Sequence, residues 1–177
     1  LPEPMARLSR RLILSAALLP LLAACSRDGD KPAKAAFKAV DITGAEYAKE
    51  LDLPDADGQR RKLADFKGKV TVVFFGYTQC PDVCPVSLAE IAEVKKQLGA
   101  DGDKVQGVFI TVDPERDSPA VLAAYVKSFG NDFVALRGSE EQTQATAKAF
   151  KIFYAKAPGQ APGSYNIDHT AGAYVFD

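Results

Sequence analysis

One histidine, three cysteines and no cysteine pair two residues apart leave this 177-residue chain few routes to metal or redox chemistry. Without a Cys-x-x-Cys it carries neither a thioredoxin-type dithiol nor a structural zinc centre built from such pairs. A four-ligand Cys/His zinc centre is also out of reach without a carboxylate, because Cys25 belongs to the lipidation motif described below. No run of Lys or Arg crosses the globular region and the net charge is −1, so nothing favours a nucleic-acid partner. Internal repeats are absent, and no segment after the leader is long and apolar enough to span a bilayer. The length, with 47% apolar residues, supports one domain with a real core plus accessory segments.

Residues 1–24 read as an export signal. Met5-Ala6-Arg7-Leu8-Ser9-Arg10-Arg11 is a basic start, and Leu12 to Ala24 is apolar but short for a membrane span. Leu1 to Pro4 are expected to precede the natural start. The end, Leu22-Ala23-Ala24-Cys25, resembles the lipobox of bacterial lipoproteins, which implies cleavage before Cys25 and a lipid on its sulfur. The alternative is an uncleaved anchor with an incidental cysteine. Both place the domain in the cell envelope, on the periplasmic face and tethered to a membrane, where thiol pairs are readily oxidised. Residues 25–40 then form a Lys-, Asp-, Ala- and Gly-rich tether, and 41–177 the domain.

The chemistry is concentrated in Phe74-Phe75-Gly76-Tyr77-Thr78-Gln79-Cys80-Pro81-Asp82-Val83-Cys84-Pro85. This run follows the apolar, β-branched stretch from Val70 and precedes Leu88, Ile91, Val94 and Leu98 at helical spacing, with Gly99 as the stop. Pro85 fits only the first helical turn, which puts Cys84 near the cap. Thiols at such a junction face unpaired backbone N–H groups, and the helix dipole is expected to lower their pKa. His169, in Asp168-His169-Thr170, can supply a third ligand just before the last strand. Two soft thiolates with an imidazole favour copper. Asp168 either orients that imidazole or serves turn chemistry. Tyr77 and Gln79 flank the thiols and can shield or hydrogen-bond them.

Further strands are expected at Tyr47–Leu53 (or an extended segment), Val105–Val112, Phe133–Leu136 and Ala173–Phe176. Asp55-Ala56-Asp57-Gly58 marks a turn. Ser118-Pro119 opens a helix that ends at Gly130, and a Ser139/Gln142 capping box opens another to about Phe150. Lys156 to Asn166, with two Pro-Gly pairs, reads as a surface loop. The alternation predicts an α/β domain with a largely parallel central sheet flanked by helices. Asp113, Glu115, Arg116 and Asp117 follow a strand at its C-terminal end, where sites of such sheets gather. They form either a solvated charged loop capping the next helix or a docking and site-shaping loop.

The run from Phe75 to Pro85 resembles the signature of the Sco/SenC family. Val112-Asp113-Pro114-Glu115-Arg116-Asp117-Ser118-Pro119 is similar to its second motif and Asp168-His169-Thr170 to its third. The resemblance spans about Tyr47 to Asp177. It implies a thioredoxin-like fold, one copper ion, Cu(I) or Cu(II), held by Cys80, Cys84 and His169, and a role in assembling the dinuclear copper centre of cytochrome c oxidase. The implied partners are subunit II of that oxidase, or another copper-accepting protein, and a reductant for the dithiol. His169 stands where thioredoxins carry a cis-proline, a departure from an ordinary oxidoreductase. A thiol–disulfide reductase using Cys80 and Cys84 is the alternative function; a thiol peroxidase fits less well. The family continues past this last strand with a strand and a helix, so more chain is expected beyond Asp177.

Overall fold

In the computed structural model the described residues are 38–177; the leader, Cys25 and most of the tether lie outside them. Among the described residues no helix is long and apolar enough to cross a membrane. A short stretch before Gly44 is turned by an Asp41 carboxylate that accepts from the Thr43 N–H at 2.9 Å. All further elements belong to the unit Gly44–Asp177.

Its centre is β3 (Val70–Gly76) beside β4 (Val105–Thr111), parallel and in register from Val70↔Val105 to Gly76↔Thr111. Every residue of β4 is buried, which is why the strand is a continuous run rather than an alternation. Gly107 breaks the run for a packing reason. A Cβ there would lie 2.5 Å from the Phe133 ring, which covers the strand at that point. The strand β5 (Val134–Leu136) extends the sheet in parallel, and β8 (Ala173–Phe176) closes the other side antiparallel to β3. The order β5-β4-β3-β8 leaves the sheet largely parallel, as the alternation predicts.

Among the described residues α1 (Val83–Gln97) packs on β3 and β4 and α2 (Pro119–Lys127) on β5, while α3 (Glu140–Ala149) buries Thr143, Thr146 and Ala147. Leu88 of α1 and Leu122 of α2 are fully buried with Val73, Phe74, Val108 and Phe109. The caps match the sequence. The Ser118 hydroxyl accepts from Val121 N–H with Pro119 opening α2, and Ser139 with Gln142 forms a reciprocal box on α3.

Two expectations change. Of the leading segment only Asp52 and Leu53 are strand, in β1 (Asp52–Pro54), paired antiparallel with β2 (Arg60–Lys62) around a turn whose Asp55 carboxylate accepts from Asp57 and Gln59. Before it the chain turns through Ala48 at φ 57°, which a strand cannot accommodate. The segment Lys156–Asn166 is a loop only over residues 159–164. Its ends belong to an antiparallel hairpin, β6 (Tyr154–Pro158) with β7 (Tyr165–His169), and the first Pro-Gly pair begins at the last residue of β6. Pro158 ends β6 opposite Tyr165, a strand-end position that suits a residue without an N–H.

Ser139→Ala should lower stability by about 1 kcal/mol in urea unfolding, because the Gln142 N–H in the first turn of α3 loses its acceptor. An unchanged midpoint would mean that the cap is dispensable here.

Candidate metal centre

The parallel strand β3 delivers its last residue, Gly76, to the C-terminal edge of the sheet, and the chain then wraps through Tyr77 to Asp82 into α1. Cys84 is the second helical residue and Pro85 the third, so the missing proline N–H falls where the helix has no acceptor for it. The Cys80 N–H donates to the Tyr77 carbonyl at 3.2 Å, and the Cys84 N–H to the Cys80 sulfur at 3.4 Å. Cys84 is fully buried; Cys80 is half-buried, and both are free thiols. A Cβ on Gly76 would lie 2.7 Å from the Cys84 sulfur and 2.9 Å from the Phe109 ring. The sulfur therefore occupies the space that a side chain at position 76 would take.

His169 comes from the far end of the chain. It is the last residue of β7, not the entry of the following strand, and its Nε2 lies 3.4 Å from the Cys84 sulfur. Its Nδ1 stands 3.0 Å from the Thr170 carbonyl. A carbonyl only accepts, so Nδ1 carries the proton and Nε2 presents its lone pair to the sulfurs. The ring meets Phe74 and Tyr77 edge to face, with centroids 6.1 and 5.9 Å away. Asp168 is exposed inside β7, so it sits in a strand rather than a turn, and the imidazole's acceptor is Thr170.

The ligand atoms of Cys80, Cys84 and His169 all lie within 4.8 Å of one another. Bonds from a thiolate or imidazole to a metal run about 2.0–2.3 Å, so ligands of one ion stand at most about 4.6 Å apart. The group is close to the size one ion needs.

The charged motif after β4 is not solvated as one expectation had it. Asp113 and Asp117 are buried, 2% and 0% exposed. Asp117 accepts from the Thr78 hydroxyl (2.6 Å), the Thr78 N–H (3.1 Å) and the Thr111 hydroxyl (2.6 Å), tying the cysteine loop to the end of β4. Asp113 accepts from the Tyr165 hydroxyl at 2.9 Å and pairs with Arg116. Arg116 also donates to Gln79 and to the Tyr165 carbonyl. Only Glu115 stays at the surface, in an ion pair with Lys156. Tyr77 is buried, and its oxygen accepts from the Ile167 N–H at 3.3 Å.

Burial reverses the expected thiol chemistry at Cys84. Desolvation pushes this thiol well up, and the hydrogen bond with Cys80 and the nearby charges of Cys80 and Asp117 push the same way. The helix dipole is outweighed because a fully enclosed sulfur cannot be solvated as an anion. Tyr125 went unnoticed in the sequence, where it is one residue in a helical pattern. Its hydroxyl is buried without a partner among the described residues, and burial with the charges of Cys84, Cys80 and Asp117 raises its pKa.

These features define a class: a thioredoxin-like domain with a preassembled group of two thiols and an imidazole at the edge of its sheet. The comparisons then supply the family. Residues 39–177 match SCO1/SenC, and the chain belongs to that family. Among solved structures it is similar to Bradyrhizobium japonicum ScoI with copper bound, at 42% identity over 72% of this chain and 81% of that one, TM-score 0.66. Yeast Sco1 with copper bound is 32% identical over 72% of each chain, TM-score 0.64. The SCO2-like protein of Rickettsia felis is 36% identical over 72% of this chain and 63% of its own length. The chain thus spans less than two thirds of that relative.

Gly76→Ala should displace the Cys84 sulfur or the Phe109 ring, lowering stability by about 1–3 kcal/mol. Its reduced form should bind metal more weakly than wild type; equal affinity would show that position 76 does not shape the group. A pH dependence follows from Cys84. Its folded pKa lies above the unfolded value of 9.0, so its contribution is complete below that value and is lost as pH rises past it. Reduced, metal-free protein should lose stability above about pH 9, and Cys84→Ala should lose less over the same range. Identical alkaline slopes would contradict this.

Proposed function

We propose that this protein is a copper-binding chaperone of the bacterial cell envelope, serving assembly of the dinuclear copper centre of cytochrome c oxidase subunit II. The observation that carries the reading is the 3.4 Å approach of His169 Nε2 to the Cys84 sulfur, with Cys80 within the same 4.8 Å group. Supporting it, the solved relatives ScoI and Sco1 hold copper. Copper is cargo here. Cys80, Cys84 and His169 would hold one ion as two thiolates and a neutral imidazole, a soft set suited to copper. Loading releases the thiol protons that burial otherwise retains at Cys84. Three protein ligands leave room for a fourth from an acceptor, and the half-buried Cys80 is the ligand an incoming thiolate reaches first. The basic and apolar leader ending at Cys25 supports lipid anchoring on the periplasmic face.

The unequal exposure of the two thiols also favours a second reading, a thiol–disulfide reductase. Cys80 thiolate would attack a target disulfide, releasing one target thiol. Cys84 would then displace the second, leaving a Cys80–Cys84 disulfide that an external thiol reductant must reduce. This chemistry makes no use of His169.

His169→Ala separates the two. Copper(II) retention should fall by about tenfold or more, while reduction of a disulfide test peptide changes by less than about twofold. Copper retention that survives the substitution would hand the assignment to the reductase. Reduced protein should take up one copper per chain and its disulfide form almost none; equal uptake would place the ion elsewhere.

A further inference from the structure

The β6–β7 hairpin carries His169, yet among the described residues its strands pair only with each other and with no strand of the four-stranded sheet. No ladder therefore fixes this ligand against the thiols of α1 and its leading loop. Alternation along β7 puts Tyr165, Ile167 and His169 on one face; Ile167 is buried and Asp168, between them, is exposed. Tyr77 holds Ile167 by its backbone N–H. Two residues back, Arg116 holds Tyr165. Its Nη1 donates to the Tyr165 carbonyl at 2.8 Å, and its guanidinium carbon lies 3.7 Å from the ring centroid. The same Nη1 donates to the Gln79 side chain at 3.2 Å, one residue before Cys80. Arg116 Nε pairs with the buried Asp113, which itself accepts from the Tyr165 hydroxyl.

One guanidinium thus joins the strand that ends in His169 to the loop that holds Cys80. Resting on the copper reading, we propose that Arg116 is a positioning residue of the metal centre, setting the separation of imidazole and thiols without touching the ion. A lysine could not replace it. An ammonium is a point charge, whereas this role needs a planar fork that stacks on one ring and donates along several fixed directions. Arg116 Nη2 is buried without an acceptor among the described residues, so the fork keeps its place through the bridging contacts although one donor goes unmet.

The test compares wild type, Arg116→Lys and Tyr165→Phe, each with and without His169→Ala. Copper(II) forms are followed by the imidazole nitrogen splitting in electron paramagnetic resonance and by the rate of copper loss to a chelator. Metal-free forms are followed by the nuclear magnetic resonance linewidths of the His169 ring. Arg116→Lys should lose copper about tenfold faster, with weakened nitrogen splitting and broadened His169 signals, and should change the rate less than about twofold once His169 is gone. Tyr165→Phe keeps the ring but loses the bond to Asp113. It should move the same readings by a smaller factor, and it decides the matter if Arg116→Lys does not fold. Unchanged copper loss and His169 signals in these variants, or an effect that persists without His169, overturns the proposal. Absence of nitrogen splitting or copper uptake in wild type overturns the copper reading instead, and the metal-free linewidths then still decide whether Arg116 positions the ring.

Discussion

The Cys84 sulfur is the point at which three separately built pieces of the fold meet. It fills the space left by the absent side chain of Gly76 at the end of β3, it rides on the second residue of α1, and it faces the imidazole from β7. The imidazole comes from 85 positions further along the chain. The site exists only when strand, helix and hairpin are all in place, so its geometry reports on the packing of the whole sheet edge. Protein interiors give little under such load, because a shift of one methylene is already felt by every neighbour.

The same burial sets the site's electrostatics. An enclosed sulfur with a fully buried Asp117 nearby holds its proton, and a cation resolves the conflict by supplying the charge that solvent cannot. Among the described residues Asp117 is held by three hydrogen bonds from Thr78 and Thr111 rather than by a basic partner, so no ion pair there cancels its negative charge. The arrangement is tuned for a positive guest. It also makes the two thiols unequal, Cys80 reachable and Cys84 enclosed.

Much of this was legible in the sequence, and the parts that were not share a cause. The strand at Val70, the capping residues Ser118 and Ser139 and the placement of Pro85 follow from short-range chemistry, and each stands where its pattern put it. The hairpin around Pro158 and Gly163 was hidden because turn residues at its tip outweigh the few strand-forming residues on either side. The burial of Asp113 and Asp117 was hidden for a different reason. Four charged residues in a run of five look solvated until a second chain segment covers them, and the partners, Thr78, Tyr165 and Thr111, lie up to 52 positions away. The thiol pKa failed in the same way, since the dipole is a local effect and burial is not.

The register of the two central strands carries one more consequence. Gly76 ends β3 directly across from Thr111, which ends β4, and the Val112 N–H donates to the Gly76 carbonyl at 2.8 Å. The cysteine loop and the Asp113–Asp117 loop therefore leave the sheet at the same height and are geared to each other. Adding or removing one residue in either strand would turn its side chains to the opposite face and slide one loop past the other. Variation in chain length is barred from these strands and their loops. It can be absorbed only where nothing is geared, as at the hairpin tip between Gly159 and Ser164.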